Sequence, residues 1–325
     1  MAEQLQLEGI IPDELAGMRL DQALAQLFPD FSRGRLTKWI KSGDVSIDGI
    51  QLRPRDAISG GESVVISAEI DVVDDSWSAE AIELDIIHED DSVIILNKPA
   101  GMVVHPGAGN HEGTLVNALL HHCPQLEGIP RAGIVHRIDK GTTGLLMIAK
   151  TLQAHNSLVI QLQEHTVLRE YQAIAMGVMT AGGTVDQPIG RHPIDRKRQA
   201  VIGSGKHAVT HYRVQHRYRA HTHIRCQLET GRTHQIRVHM AHIRYPLLGD
   251  PVYGGRLRLP KGASEQTQTA LQGFRRQALH AGLLGFIHPE TGEEVSWQVD
   301  MPEDMHYILE VLAQDQKENT ETKLY

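Results

Sequence analysis

The chain reads as an α+β protein: a large body built on a mixed, mainly antiparallel sheet, preceded by a small α/β unit. Three observations carry this. Strand-like apolar segments recur through the larger part without the regular strand–helix alternation that a doubly wound parallel sheet requires. The stretch from Glu69 to Glu83 is acidic and short of apolar anchors apart from Val72, Val73 and Trp77, so it divides the chain. Ahead of it lie two short amphipathic helical patterns and a turn signal. The boundaries that follow are 17–75 for the small unit, 76–83 for a linker, 84–312 for the body and 313–325 for a polar tail.

In the small unit, Leu20, Ala23, Leu24 and Leu27 share one helical face. Ser32 is placed to cap a second helix, which carries Leu36, Trp39 and Ile40 inward and Arg33, Arg35, Lys38 and Lys41 outward. Val45-Ser46-Ile47 before Asp48-Gly49 reads as a strand and hairpin tip, and Val64-Val65-Ile66 as a further strand. In the body, 86–96 reads as strand, tight turn, strand, resuming at Val103 to Pro106, with a short helix over 113–121. Ile134-Val135, 145–149, 169–175, 208–214, 222–228 and the segments near Leu283 and Val295 are strand-like, and 152–164 has helical periodicity. Pro260 to Thr269 reads as a mobile loop, and Asp315 to Lys323 as a fraying end.

With 325 residues, 41% apolar and 22% charged, the chain has enough sequence for at least one large core. Cys123 and Cys226 have no CxxC spacing, which argues against a disulfide framework or thiolate zinc site and favours a reducing compartment. No apolar run is long enough to span a bilayer and no leader opens the chain, so the expectation is a cytoplasmic protein with no membrane partner. The net charge of −8 conceals an uneven distribution: Gly190 to Arg244 holds twelve Arg/Lys against two acids, Asp195 and Glu229. That gives an acidic protein a basic face suited to nucleic acid, although a solvated arginine-rich surface would read the same way.

Three patches could carry chemistry. Arg137 and Asp139 stand two apart between an apolar run and a Gly/Thr-rich turn, where an ionised, nucleophilic carboxylate could be kept; a turn aspartate before Lys140-Gly141 fits the same spacing. Tyr171 follows Arg169 and Glu170, and is either a base-stacking aromatic or a core residue. In Gly231 to His239, alternation would put Gln235, Arg237 and His239 on one face of an extended segment, whereas a helix would align Arg232 with Gln235. Nine histidines fall between His192 and His242, yet no HExxH or close acid/Cys set completes a metal shell, so no metal is expected. The glycine clusters lack nucleotide-binding spacing, so neither ATP nor NAD is indicated.

These motifs in order resemble the RluA-type pseudouridine synthases, which convert uridine to its C-glycoside isomer in structured RNA. The central match is His136-Arg137-Ile138-Asp139 followed by Lys140-Gly141-Thr142-Thr143-Gly144. Lys98-Pro99 with Val104-His105-Pro106-Gly107, then Arg169-Glu170-Tyr171, then Gly231 to His239 support it. The small unit resembles the S4 RNA-binding domain through Arg19-Leu20-Asp21, Ser32-Arg33, Ile40, Gly43-Asp44-Val45 and Asp48-Gly49, with Ile47-Asp48-Gly49 in place of the usual Val-Asn-Gly. Ile138 replaces a usual leucine, and Gly141 an Asp or similar turn residue.

The resemblance implies a pseudouridine synthase domain behind an S4-like RNA-binding domain. It makes Asp139 the nucleophile or base, Tyr171 the residue that stacks on uracil, and Arg237 the partner of the Asp139 carboxylate. Arg137, His136, Arg232 and Ile236 would bind the substrate; Arg19, Arg33, Arg35, Lys38 and Lys41 would contact RNA. No cofactor is implied, since uracil is both leaving group and nucleophile. The likeness is close along nearly the whole chain to members acting on large-subunit (23S) ribosomal RNA, at several uridines of the helix 69 stem-loop. The implied partner is therefore that RNA, free or in a pre-50S or 50S particle, and a monomer is the default. The alternatives are another ribosomal or transfer RNA site, or a non-catalytic RNA-binding assembly factor.

Overall fold

The computed structural model describes residues 3–28, 31, 33–70, 77–105, 112–195 and 198–321. Two compact units emerge, 1–76 and 77–325.

The first unit contains β1 (Glu3–Ile10), α1 (Leu20–Leu27), α2 (Arg33–Ser42), β2 (Val45–Ile47) and β3 (Ser63–Ile70), in an antiparallel sheet of order β1-β3-β2. The apolar faces of both helices meet the sheet: Leu20, Leu24, Leu36, Trp39 and Ile40 pack with Val45, Ile47, Val64 and Ile66. β1 was not anticipated, because its alternation offers only Leu5 and Leu7 to the core. The Asp48-Gly49 turn forms with both residues at positive φ (48° and 79°), but Ile50 makes only a single bridge to Ile47. The strand that pairs with β2 is β3, beyond the 51–62 loop, so the expected hairpin closes at long range. Ser32, expected as the α2 cap, lies outside the described residues, as do 71–76 of the dividing stretch. From Trp77 the chain belongs to the second unit, where Asn117 Nδ2 donates to Ser78 O and the Glu80 amide to Asn117 O.

The second unit contains β4 (Ile86–Glu89), β5 (Val93–Lys98), α3 (Leu115–His122), β6 (Thr143–Ala149), α4 (Leu152–Gln163), β7 (Leu168–Met176), β8 (Gly183–Asp186), β9 (Ile189–Arg191), β10 (Gln199–Val201), β11 (Val209–Arg217), β12 (His221–Leu228), α5 (Gln235–His242), α6 (Glu265–Gly273), β13 (Leu279–Ile287), β14 (Glu294–Gln298) and α7 (Glu303–Glu321). A nine-stranded sheet runs β4-β5-β6-β13-β7-β12-β11-β8, with β14 on β13, and β9 and β10 form a separate ribbon. All pairings are antiparallel except β6 with β13. β5 and β6 are buried on both faces: Ile94, Leu96, Leu146 and Ile148 join one cluster with α3, while Val93, Ile95, Leu145 and Met147 join another with α4. Their apolar runs are unbroken because both sides of the pleat need apolar residues.

Four local expectations need correction. Ile134 and Val103 make isolated bridges rather than strands. The expected loop at 260–269 contains the start of α6, where the Ser264 hydroxyl accepts from the Thr267 amide and Thr267 and Leu271 are buried. The expected fraying end is helical from 315 through Glu321, 322–323 lying outside the described residues, and Asp315, 1% exposed, receives Arg219 Nη1 at 2.9 Å. For 235–239 the extended reading gives way to the helical alternative, as α5. Every residue from Gln235 to Met240 is buried, so no polar face marks the helical period and Ile-Arg-Val-His imitates a strand. Among the described residues no helix is long and apolar enough to cross a membrane.

Candidate active site

The Arg137/Asp139 segment is a loop clamped at both ends by glycines. At Gly133 (φ 77°) a Cβ would lie 2.0 Å from Ala149 O, and at Gly144 (φ 110°) one would lie 2.2 Å from Ala281 O. No side chain fits either place, so the loop is held against β6 and β13 by direct backbone contact. Within it, the Thr142 amide donates to Asp139 O at 2.9 Å and the Gly101 amide to Lys140 O at 2.8 Å.

Lys98 pins the same loop from below. Its side chain is completely buried, and Nζ donates to the carbonyls of Pro99, Met102 and Lys140 at 2.7, 3.0 and 3.2 Å. Burial pulls its pKa down to about 8, opposed by the Asp139 charge. Sequence reasoning assigned Lys98 no role; its place beside Pro99 in a quoted motif was the available signal.

The Asp139 carboxylate is half-buried, and its Oδ2 receives Arg237 Nη1 at 2.8 Å. The remaining edge of the same guanidinium meets Asp250, with Nε to Oδ2 at 2.7 Å and Nη2 to Oδ1 at 2.9 Å. Asp250 also accepts the amides of Val252 and Tyr253 at 2.9 and 3.0 Å. Burial opposes both charges, yet each stabilises the other: Asp250 is held below the usual carboxylate range and Arg237 above its ordinary value. Arg237 is thus a fixed cation whose free edge orients Asp139. Asp250 was absent from the residues expected at the site, since its effect passes through Arg237.

His234, at left-handed φ 59°, starts α5 and places Nε2 at 3.8 Å from Asp139 Oδ1. Its Nδ1 hydrogen-bonds the Tyr253 hydroxyl at 2.9 Å, which also accepts the Gln199 amide at 2.9 Å. The guanidinium carbons of Arg198 and Arg237 lie 5.4 and 5.1 Å from the Tyr253 ring centroid. Burial depresses the His234 pKa, with Asp139 opposing.

These groups face a cavity of about 880 Å3. Asp139, Tyr171, Arg237, Arg137, His136, Arg232 and Ile236 all line it, so one cavity collects every residue expected to react with or bind the substrate. Tyr171 is 7% exposed, and burial raises its hydroxyl pKa, so the phenol stays neutral. Arg137 is exposed, with Nη2 at 3.3 Å from Thr233 Oγ1, and Arg232 Nε donates to His207 O at 3.0 Å. The His136 ring is used internally: its Nε2 accepts the Met147 amide at 3.1 Å, and burial pulls its pKa down to about 3, keeping it neutral. Ile236 is 4% exposed and belongs to the core that backs the cavity.

The expected RNA-contact residues lie in the first unit. Arg19 and Arg33 converge on the buried Asp21, with Nη2 atoms at 3.0 and 2.7 Å from Oδ2. Lys38 and Lys41 are exposed on α2, and Arg35 is partly exposed. The Asp48 carboxylate accepts the Ser63 amide at 2.9 Å. Among the described residues, no cluster of His, Cys, Asp and Glu is placed to hold a metal ion.

A family model described as RNA pseudouridylate synthase matches residues 92–242. The chain is 54% identical over 317 residues to the ribosomal large subunit pseudouridine synthase D of Pseudomonas aeruginosa, covering 98% of this chain and 99% of that protein. It is 52% identical over 320 residues to the protein of the same name from Escherichia coli K12, covering 98% of each. Among solved structures, human RNA pseudouridylate synthase domain containing 4 aligns with a TM-score of 0.55 at 27% identity, over 70% of this chain and 92% of that one. Human RNA pseudouridylate synthase domain containing 1 aligns at 0.53 and 23% identity, over 69% and 86%, a likeness of fold.

Proposed function

Because the chain belongs to the RNA pseudouridylate synthase family, in its RluA-type branch, and is an RNA uridine isomerase, we propose that its substrate is large-subunit ribosomal RNA and its reactive group Asp139. The observation that carries this is the Asp139 carboxylate held at 2.8 Å by Arg237 in the cavity that Tyr171 lines. Near-full-length identity to ribosomal large subunit synthases supports the substrate. Within that RNA the proposed targets are uridines of the helix 69 stem-loop, in free RNA or a 50S precursor.

The target uridine leaves its stack and enters the cavity, at a cost of a few kcal/mol that is lower in a loop than in a duplex. Tyr171 stacks on the base and Arg137 holds the flipped nucleotide. Asp139 takes the ribose 2′ proton as the C1′–N1 bond breaks, leaving a neutral glycal, a protonated Asp139 and a uracil anion. The retained uracil turns so that C5 bonds C1′ as Asp139 returns the proton to C2′; the C5 proton is then lost and N1 gains one. Arg237, fixed by Asp250, keeps the carboxylate aimed throughout. The first unit acts as an S4-like RNA-binding module through the Lys38/Lys41 face of α2, and the protein works as a cytoplasmic monomer.

Mapping pseudouridines in ribosomal RNA from cells with and without the gene tests reaction and substrate together. Loss of helix 69 pseudouridines is the expected result. An unchanged large-subunit map, with losses elsewhere, would reassign the substrate.

A further inference from the structure

Among the described residues, one buried cation in the cavity has no counter-charge. Arg169 is 6% exposed and stands on β7 two residues before Tyr171, so both side chains share a face of the strand and both line the cavity. Its Nη2 donates to Glu229 O at 3.0 Å, while Nε is buried without any hydrogen-bond partner. Among the described residues no carboxylate pairs with it: Glu170 turns to Arg225, and Glu229 to His211. The other titratable groups near it are neutral, namely His136, whose Nε2 accepts the Met147 amide, and the Tyr171 phenol. A buried, uncompensated guanidinium costs several kcal/mol.

The chain also leaves room in front of it. Gly231, another residue of the cavity wall, does not have positive φ, yet a Cβ there would lie 2.7 Å from Arg169 Nη1. Glycine at 231 keeps the guanidinium uncovered rather than satisfying the backbone.

We propose that Arg169 is a further catalytic residue, which holds the departing uracil as an anion. This rests on the reading of the cavity given above. When C1′–N1 breaks, its electron pair passes to the uracil ring and spreads over N1, O2 and O4. Asp139 takes the 2′ proton, so the glycal leaves neutral and the negative charge sits on the base. Arg169 faces that charge from beside the base-stacking ring, supplying the missing counter-ion only while the base is detached. Stabilisation confined to that stage accelerates the step. When C5 bonds C1′ and Asp139 returns its proton to C2′, the ring is again neutral; the C5 proton then leaves, N1 takes one up, and the neutral product is released.

The test is the single-turnover rate of nucleoside consumption for the whole enzyme with Arg169→Gln and Arg169→Lys, on RNA carrying uridine or 5-fluorouridine at the target. Fluorine stabilises the departing anion without help from the protein. Arg169→Gln should lower the rate on uridine roughly 10²–10³-fold and on 5-fluorouridine by less than about 10-fold, with RNA affinity within a factor of about three and Arg169→Lys recovering much of the uridine rate. Equal losses on both bases would overturn the proposal and leave a structural arginine. A loss confined to affinity, with a smaller salt dependence, would make Arg169 a phosphate anchor and equally overturn it. If the unaltered enzyme fails to isomerise uridine, or Asp139→Asn retains the reaction, the reading of the cavity fails instead.

Discussion

Two arginines line the same cavity in opposite states. Arg237 lies between two carboxylates, Asp139 and Asp250, which together use its Nε, Nη1 and Nη2. Among the described residues, Arg169 meets one backbone carbonyl and its Nε has no partner. The first arginine is spent on holding a protein group in place, the second is left for something the protein does not contain. The lesson is that a cationic side chain in a pocket is not informative by itself; its existing partners decide whether it orients, binds or stabilises.

The Asp139 side can be broken most completely. Asp139→Asn keeps the shape of the side chain but removes both its charge and its basicity, so turnover should fall about 10⁴-fold or more while RNA affinity stays nearly constant. Mass spectrometry of the RNA together with a binding isotherm checks both halves. Normal isomerisation by this variant would end the assignment.

Arg237→Met breaks the same side through stability. It strands the Asp250 carboxylate, whose side chain has no exposure, and removing one partner of a buried pair costs about 3–5 kcal/mol. Urea unfolding should detect that loss. The double change Arg237→Met with Asp250→Leu should recover most of the stability, because no fully buried charge is then left unpaired, yet recover no turnover, because the part-exposed Asp139 has still lost its partner. Recovery of both would mean that Arg237 has no orienting role.

Lys98 sharpens the comparison as a third cation, held by carbonyls alone. Its pKa is lowered by burial from 10.5 to about 8, so between those values the unfolded chain binds a proton that the folded chain has released. Unfolding takes up that proton, and this group's contribution to stability therefore rises with pH. Relative to Lys98→Met, the wild-type protein should gain roughly 2 kcal/mol between pH 7.5 and 10, measured by urea unfolding at each pH. A pH-independent difference would mean that the ammonium is not desolvated.

The smallest effect is expected outside the cavity. Lys38→Ala with Lys41→Ala should weaken RNA binding and lower the salt slope by about two, without changing the single-turnover rate at saturating protein. A changed rate at saturation would implicate α2 in more than RNA capture.

Much of the fold was legible because it follows from local pattern. The unbroken apolar runs of β5 and β6, the helical period of α4 and the amphipathic faces of α1 and α2 each record burial directly in sequence. α5 did not, since a helix buried all round carries no polar stripe. α6 was hidden by its small polar residues and needed Ser264 as a cap to be recognised. β1 needed β3 to be a strand at all.

The same division runs through the site. The resemblance carried by the ordered motifs brought Asp139, Tyr171 and Arg237 forward as residues that belong together. It could not say that Arg237 already has a second carboxylate 13 positions away, that Lys98 is sealed beneath the Asp139 loop, or that Arg169 meets no counter-ion among the described residues. Charge compensation depends on which groups approach within a few ångströms after folding, and those neighbours lie 42 to 98 residues apart along the chain for Lys98–Lys140 and Arg237–Asp139. Chemical identity was therefore determined by sequence, while the state of each charge was decided by tertiary structure, because desolvation and pairing exist only once distant segments share one cavity.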